Sequence, residues 1–339
     1  MVTFRRYILR RLALACLALF GVIVVVFILT RILPGNPAVV RLGPYAKPDL
    51  IAAMEKEMGL DKPLPVQFIN YVTKLAQGDM GYSWRTGQPV RKDLTQRLPA
   101  TLELALAASL IAILLGLLLG VIAAIRHGGA IDHSIRTFAT LGASTALFWL
   151  ALIFIFIFYF RLGWAPPPLD RIDIGIESPS RITGLFLVDS LLTGNWAAFR
   201  SSLAHLALPA ITLALVVAAP IIKMVRSSML ETLHTDFVRT ARTVGVPERQ
   251  VILRDGLRNA LIPILTTIGI VFGYLMAGNV LVEMIFAWPG IGSYAWMALT
   301  NNDFEAIQGF VLLIAILYVL LNLVIDLLYS VVDPRIRLV

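Results

Sequence analysis

The sequence is poor in charge: Asp, Glu, Lys and Arg make up 15% of its 339 residues, whereas hydrophobic residues make up 58%. So little charge cannot cover a soluble domain of this length, which excludes an ordinary globular protein. The only cysteine is Cys16, so an internal disulfide is excluded and the redox compartment stays open. No G-x-x-x-x-G-K-S/T motif occurs, so the chain lacks the phosphate-binding loop of a P-loop ATPase.

Long apolar runs are what the sequence does have. A helix needs about 20 residues to cross roughly 30 Å of hydrocarbon. Six runs are long enough: 12–30, 102–125, 138–160, 204–222, 261–287 and 309–332. They lack the alternation of barrel strands, and lipid does not tolerate unpaired backbone groups. The runs predict an all-α polytopic membrane protein with six transmembrane helices. The first is a retained anchor, because no small-residue cleavage site follows it.

Basic residues predict the orientation of these spans. Four Arg precede the first run, two lie in the short loop between the second and third, and seven Lys/Arg separate the fourth and fifth. The opposite side has ten in the long loop 31–101, four in the loop 161–203 and none between the fifth and sixth runs, and long loops count little. Both termini are therefore predicted to be cytoplasmic. The net charge of +8 then indicates contact with membrane lipid rather than with nucleic acid.

The predicted organisation follows from these spans. The N-terminal cytoplasmic segment and first span take up 1–31, an extracytoplasmic cap 32–101, the transmembrane core 102–332, and a cytoplasmic tail 333–339. In the cap, apolar periodicity predicts two helices that end at Gly59 and Gly78. The loop 161–203 is rich in Pro, Gly and Asp, which predicts irregular structure with a short helix near 184–200.

The cytoplasmic loop 223–260 is the unusual segment of the core. Helix signals cover 235–244, Gly245 ends them, and Pro247 with Glu248 opens a second helix that leads into the fifth span. Two interpretations stay open for the first helix. It lies on anionic headgroups, which attract each cation by about 1 kcal/mol, or it is a docking knob for a protein partner.

The residues of this loop also carry a family resemblance. In "RTARTVG", Ala241 and Gly245 match the spacing of the cytoplasmic signature of ABC importer membrane subunits, whereas Arg239 and Thr240 replace its first two letters. "DFVRTARTVGV" followed by "LRNALIPIL" resembles the narrower dipeptide/oligopeptide/nickel permease subfamily. Further fragments resemble it in order and spacing: "LPGNP" (33–37), "MGLDKPLPVQF" (58–68), "GDMGYS" (78–83), "RLPATLEL" (97–104), "RSSMLE" (226–231), "FAWPGIG" (286–292) and "DPRIR" (333–337).

The resemblance implies a type I ABC importer permease fold in the bacterial cytoplasmic (inner) membrane. It implies alternating access for short peptides that an extracytoplasmic solute-binding protein delivers. A second homologous permease and two ABC ATPase subunits complete the importer. The chain itself is then not an enzyme and binds no cofactor or metal, since its partners use the ATP and Mg. Nickel, glutathione or another small solute stays an alternative substrate. An ion-coupled secondary transporter is the alternative class.

The resemblance also implies site residues, because the matching helix inserts into a cleft on the ATPase. Phe237 and Ala241 are expected to fill that cleft, Arg239 and Arg242 to contact its rim, and Gly245 to permit a turn where a side chain would clash. An ordinary C-cap is the other interpretation of Gly245, and both can hold. The expected coupling set is Asp236, Phe237, Arg239, Thr240, Ala241, Arg242 and Gly245.

Several residues in or near the spans have two interpretations each. Gly269, Gly273 and Gly278 are spaced for close helix packing, with pore lining as the alternative. Asp326 is expected to pair inside the protein or to lie on the transport path. Glu283 is expected to contact another chain or to anchor the span at the interface.

Three further residues are assigned to helix ends or breaks. Glu103 is interpreted as a cap at the start of the second span, where the helix dipole favours a carboxylate. Pro209 and Pro220 are expected to break the fourth span.

Overall fold

The computed structural model describes residues 2–32, 36–43, 45–277 and 279–332. The helices of this part are α1 (Val2–Ile32), α2 (Pro37–Leu42), α3 (Pro48–Met58), α4 (Leu64–Ala76), α5 (Val90–Ile125), α6 (Ala130–Ser144), α7 (Leu147–Phe154), α8 (Phe186–Thr193), α9 (Trp196–Leu233), α10 (Asp236–Thr243), α11 (Glu248–Gln250), α12 (Arg258–Met276), α13 (Val280–Ile285), α14 (Ile291–Thr300) and α15 (Phe304–Val332). Two π-helical segments, Ile155–Arg161 and Val251–Leu257, follow α7 and α11. The only strands in the described ranges are the antiparallel pair β1 (Tyr82–Ser83) and β2 (Gln88–Pro89). The predicted all-α class is confirmed.

Five described helices are long and apolar enough to cross a membrane, and a bent pair makes a sixth crossing if it is counted as one span. The predicted number of spans is therefore confirmed in this form. The helix of the second span extends beyond the predicted apolar run, because α5 already begins at Val90 and not near residue 102. The predicted tail, 333–339, lies outside the described residues.

The third span is not the continuous helix that hydropathy predicts for 138–160. The α6–α7 pair bends by 101° at the junction, where Thr145 and Ala146 are extended. The Thr145 hydroxyl donates to the carbonyl of Leu141 at 2.7 Å. The Thr145 amide donates to the same carbonyl at 3.0 Å. Bonds from a Ser or Thr hydroxyl back to the carbonyl of residue i−4 often bend helices. Hydropathy measures apolarity alone and does not register such a bond.

Two other helix predictions were wrong. Pro209 and Pro220 were expected to break the fourth span, yet α9 runs through both without interruption. Neighbouring helices allow proline inside a membrane helix, and α9 is the most enclosed of the candidate spans. The fifth span was expected to continue to residue 287. Instead α12 ends at Met276, and α13 is a separate short helix.

The centre of the core is the contact between α5 and α9. A Cβ atom added to Gly116 would lie 2.3 Å from Cγ2 of Ile221, and one added to Gly120 would lie 2.6 Å from Cβ of Val225. Small residues permit this close approach, since packing rather than hydrophobicity drives helix association in lipid. The long C-terminal end of α9 carries α10, so the tight α5–α9 pair supports the segment that contains α10.

The cap contains the two helices predicted for it, α3 and α4. Gly59 ends α3 with a left-handed φ of 67°, as expected for a glycine C-cap. The aromatic ring of Phe68 packs edge-on against that of Phe27 in α1, with centroids 5.2 Å apart. The cap is thereby held against the end of the first span.

Candidate functional site

Helix α10 lies between two membrane spans and is fixed by its own apolar side. Val238 is fully buried, as is Val251 in the π-helical segment that follows. Asp236 is in the first turn and Arg242 in the last. The negative charge at the N-terminus and the positive charge at the C-terminus both interact favourably with the helix dipole. The short helix is therefore held by tertiary packing, which a helix of this length requires.

The end of α10 is a Schellman motif. The amide of Val246 donates to the carbonyl of Ala241 at 3.1 Å, and the amide of Gly245 donates to that of Arg242 at 3.0 Å. Gly245 has a φ of +82°, which a residue with a side chain rarely adopts. Nothing in the described chain lies within 4 Å of an added Cβ there. The structure thus favours the C-cap interpretation, and the constraint is the backbone conformation rather than a clash within this chain.

The two faces of α10 differ from the expected assignment. Ala241 was expected to fill a partner's cleft, but it is half-buried and packs on the chain's own core. The outward face carries Phe237, which is 50% exposed, Thr240, and Val244, which is 77% exposed. Val244 was absent from the expected set, although its spacing from Phe237 by seven residues indicates the same helix face.

The charged residues of α10 form local pairs. Arg242 donates to both carboxylate oxygens of Glu248, at 2.7 and 3.2 Å, so it ties α10 to α11. The hydrogen bond to Glu248 raises the pKa of Arg242. Arg239 lies 3.6 Å from the carboxylate of Asp236, and both side chains are largely exposed. Such exposed pairs contribute at most about 1 kcal/mol each, which leaves Arg239 and Asp236 accessible to a partner.

The exposed face of α10 fits a protein partner better than a lipid surface. An interfacial helix inserts a broad apolar face among the headgroups. Here the buried side is already occupied by the chain's own core, and the outward apolar area is limited to Phe237 and Val244. An exposed aromatic residue beside polar and charged neighbours is typical of a protein interface.

A buried ion pair connects this region to the rest of the core. Arg226, on α9, donates to both carboxylate oxygens of Asp132, at 2.7 and 2.8 Å. Asp132 also accepts from the amide of Gly128 at 3.0 Å and is fully enclosed. His127 contacts Arg226 at 3.0 Å. The start of α6 is thus fixed to the same helix that carries α10.

A second buried ion pair lies at the other end of the core. Glu103 was interpreted as a helix cap, which was wrong because it lies well inside α5. Its carboxylate instead pairs with Arg171 and accepts from the amide of Leu187 at 2.7 Å. Arg171 also lies over the ring of Phe186, 3.7 Å from its centroid. The predicted irregular loop is therefore fixed to the core, and α8 is the short helix expected within it.

Glu283 is enclosed by its own chain. Its carboxylate accepts from the Thr101 hydroxyl at 2.7 Å and from the Ser293 amide at 2.8 Å, and the residue is fully buried. Burial raises its pKa despite these bonds. Trp288 in the same loop donates to the carbonyl of Ala100 at 2.8 Å. Glu283 thus organises the "WPGIG" turn and has no exposed surface for contact with another chain.

The glycines of the fifth span lie against the last one. An added Cβ would come within 2.3 Å of Ile325 at Gly269 and within 3.1 Å of Tyr318 at Gly273. This geometry favours packing over pore lining for both. Gly278 and the side chain of Asp326 lie outside the described residues.

The spans, with α10 between the fourth and the fifth, give the chain the fold of a type I importer permease. The fold is similar to that of a chain in the inward-facing MetNI methionine ABC transporter (CY5 native crystal form). The TM-score is 0.53 at 15% identity, and the match covers 71% of this chain and 96% of that chain. The chain belongs to the family described as binding-protein-dependent transport system inner membrane component. The model of that family matches residues 112–338. A second model, for the N-terminal part of the membrane component of binding-protein-dependent transport systems, matches residues 4–105.

Named relatives extend over almost the whole chain. The di/tripeptide transport system permease protein DppB of Pseudomonas aeruginosa is 43% identical, covering 98% of both chains. The probable D,D-dipeptide transport system permease protein DdpB of Escherichia coli is 42% identical over 94% of both. The glutathione transport system permease protein GsiC of Salmonella choleraesuis is 36% identical over 98% of both. This chain is therefore a permease component of a binding-protein-dependent transport system, a multi-pass inner membrane protein.

Proposed function

We propose that this chain is the permease subunit of an ATP-driven importer of short peptides. Two relatives more than 40% identical along nearly their full length are named as dipeptide or di/tripeptide permeases, which supports the peptide assignment. Glutathione is the competing cargo, because a relative at 36% identity is named for it. The termini and α10 face the cytoplasm in this proposal, as the distribution of basic residues predicts.

The observation that carries the ATP-driven part is the outward face of α10. A transporter driven by separate ATPase subunits needs a rigid element in its membrane subunit, to which an ATPase can bind and transmit its movement. The exposed Phe237–Thr240–Val244 face is held by the fully buried Val238 and by the capped turn at Gly245. We assign this face to docking on an ABC ATPase subunit, with Asp236 and Arg239 at its rim. Two ATPases, a second and distinct permease, and an extracytoplasmic binding protein complete the importer, and ATP with Mg is used by the ATPases alone.

Uptake by the reconstituted importer tests this function. Proteoliposomes that contain both permeases and enclose the ATPases are expected to accumulate labelled Ala-Ala only with internal ATP and external binding protein. Phe237→Ala is expected to reduce uptake strongly while the subunit still inserts, because truncating a central interface aromatic costs about 2 kcal/mol or more. Leu253→Ala is the matched control, since Leu253 is similarly exposed but lies outside α10.

Two results contradict the proposal. Accumulation driven by an ion gradient without ATP or ATPase selects a secondary transporter. Uptake of glutathione or nickel that excess Ala-Ala does not inhibit assigns the importer to another cargo.

A further inference from the structure

A cavity of about 260 Å³ lies between the cap, the end of α1 and the start of α15. This cavity is separate from the outward face of α10. The chain positions of its lining residues place the cavity on the extracytoplasmic side in the proposed orientation. Pockets for drug-sized ligands hold about 300–1,000 Å³. The available space accommodates a ligand about as large as an amino acid or a very short peptide.

The lining of this cavity carries both signs of charge. Three basic side chains line it: Arg31, Arg41 and Lys74. Four acidic side chains line it as well: Glu57, Asp79, Asp303 and Glu305. The basic groups disfavour a lone metal cation, and the carboxylates disfavour a lone anion such as phosphate, because each would meet like charges at short range.

Some of these acids already have internal partners. Asp303 accepts from the Ser83 hydroxyl at 2.6 Å, and Asp79 accepts from the Gly81 amide at 2.9 Å. Glu305 accepts from the Tyr82 amide through one oxygen only, Oε2. On the basic side, neither Arg41 nor Lys74 forms an ion pair within the described ranges of the chain. Glu305 and these two cations thus retain capacity for a ligand.

Gln67 is a fixed part of the cavity wall. Gln67 is 9% exposed, and its amide nitrogen donates to the carbonyls of Leu60 at 3.1 Å and Lys62 at 2.7 Å. Those bonds fix the orientation of the amide, and Oε1 then has no hydrogen-bond partner. Oε1 is itself enclosed, so Gln67 shapes the wall of the cavity but offers this oxygen to no ligand.

We propose that this cavity binds a small zwitterion with a free ammonium and a free carboxylate, such as an unblocked dipeptide. The ammonium pairs with Glu305, while the carboxylate pairs with Arg41 and Lys74. Such a ligand is the one whose two charges both meet a counter-charge. That the zwitterion is the imported peptide rests on the proposed function.

Binding to the assembled complex in nanodiscs, without binding protein, tests the proposal. Trp84 lines the cavity and serves as a fluorescence reporter, and Trp84→Phe identifies its share of the signal. Ala-Ala is expected to change Trp84 fluorescence saturably. N-acetyl-Ala-Ala, which lacks the ammonium, and Ala-Ala amide, which lacks the carboxylate, are each expected to bind about tenfold more weakly, as loss of one charge-assisted bond predicts.

Substitutions assign the two ends of the ligand. Glu305→Gln is expected to weaken Ala-Ala about tenfold but to leave N-acetyl-Ala-Ala unchanged. Lys74→Gln is expected to weaken Ala-Ala and to leave the amide unchanged. Glu177→Gln and Lys62→Gln make the same chemical changes outside the cavity lining and are expected to have no effect.

Equal binding of the blocked peptides, or a fluorescence response that survives Trp84→Phe in full, would overturn the assignment. Failure of the proposed function is distinguishable from failure of this site. ATP-dependent Ala-Ala uptake without Trp84-dependent binding rejects the cavity and leaves the importer intact. Trp84-dependent binding without uptake supports the cavity and contradicts the importer.

Discussion

Replacing Asp132 by Asn removes the charge from a buried ion pair while keeping the size of the side chain. In the native protein, two Arg226 nitrogens lie 2.7 and 2.8 Å from the Asp132 oxygens. The Asp132 side chain is 1% exposed, whereas that of Arg226 is 18% exposed. Asn can keep the bond from Gly128, but its NH₂ group faces a guanidinium that has lost its counter-charge.

The expected cost follows from this burial. Breaking a buried ion pair by removing one partner costs about 3–5 kcal/mol. The partial exposure of Arg226 lets water stabilise the remaining charge, so we expect about 2–3 kcal/mol for Asp132→Asn. Arg242 and Glu248 provide a matched comparison, since they form the same two-bond arrangement with side chains 42% and 57% exposed. Glu248→Gln is therefore expected to cost less than about 1 kcal/mol.

A denaturant titration that unfolds the purified subunit reversibly in detergent measures both free-energy costs. The reasoning predicts that Asp132→Asn lowers the free energy of unfolding by at least about 1 kcal/mol more than Glu248→Gln does. Equal effects of the two substitutions would refute it, because burial would then not decide the strength of these pairs.

Three further substitutions, two of them paired with a glycine control, test other parts of the structure. Gly116→Ala is expected to destabilise the protein by about 1–3 kcal/mol through overpacking against Ile221. Gly21→Ala, with nothing within 4 Å of the added Cβ, is the control expected to be neutral or stabilising in the same unfolding assay. Gly245→Ala forces a side chain into a left-handed backbone conformation, so it is expected to lower stability by about 1 kcal/mol and also to lower stimulated ATPase activity. Gly194 is left-handed as well, and Gly194→Ala is expected to affect stability alone. Burial disfavours ionisation of Asp189, but hydrogen bonds from Thr183, Gly184 and Ile182 outweigh it and hold its pKa below the ordinary value. Its stabilising contribution is thus present above the unfolded pKa of about 3.9 and is lost as pH falls through the lower folded pKa. Asp189→Asn is expected to cost about 1–3 kcal/mol at neutral pH and to remove this acid-side loss from a stability profile.

Local rules predicted much of the architecture. The apolar runs indicated each crossing, since the length of an apolar helix is set by bilayer thickness. The glycines that end α3 and α10 were predicted from sequence alone, and both adopt left-handed φ angles in the structure. Such features depend on a few neighbouring residues, which a single sequence displays directly.

Features that depend on distant contacts were not predicted. Glu103 pairs with a residue 68 positions away, so its local position after Pro99 suggested a cap instead. The third span breaks where Thr145 and Ala146 adopt an extended backbone, and hydropathy is insensitive to backbone conformation. For α10, periodicity indicated an apolar face but not which apolar residues meet α9. Ala241 was therefore placed outward, and Val244 was missed.

Site-directed cross-linking tests the docking of α10 most directly. Cys16, the one native cysteine, is first replaced by Ser. Single cysteines are then introduced at Phe237 and at Val244, on the outward face of α10. A single cysteine at Tyr45, which is 98% exposed on the cap, is the control. We expect the first two to cross-link to an ATPase subunit and only the third to react with a membrane-impermeant maleimide in intact cells. Labelling of position 244 from outside, or no ATPase cross-link from either outward position in an active complex, would contradict the account.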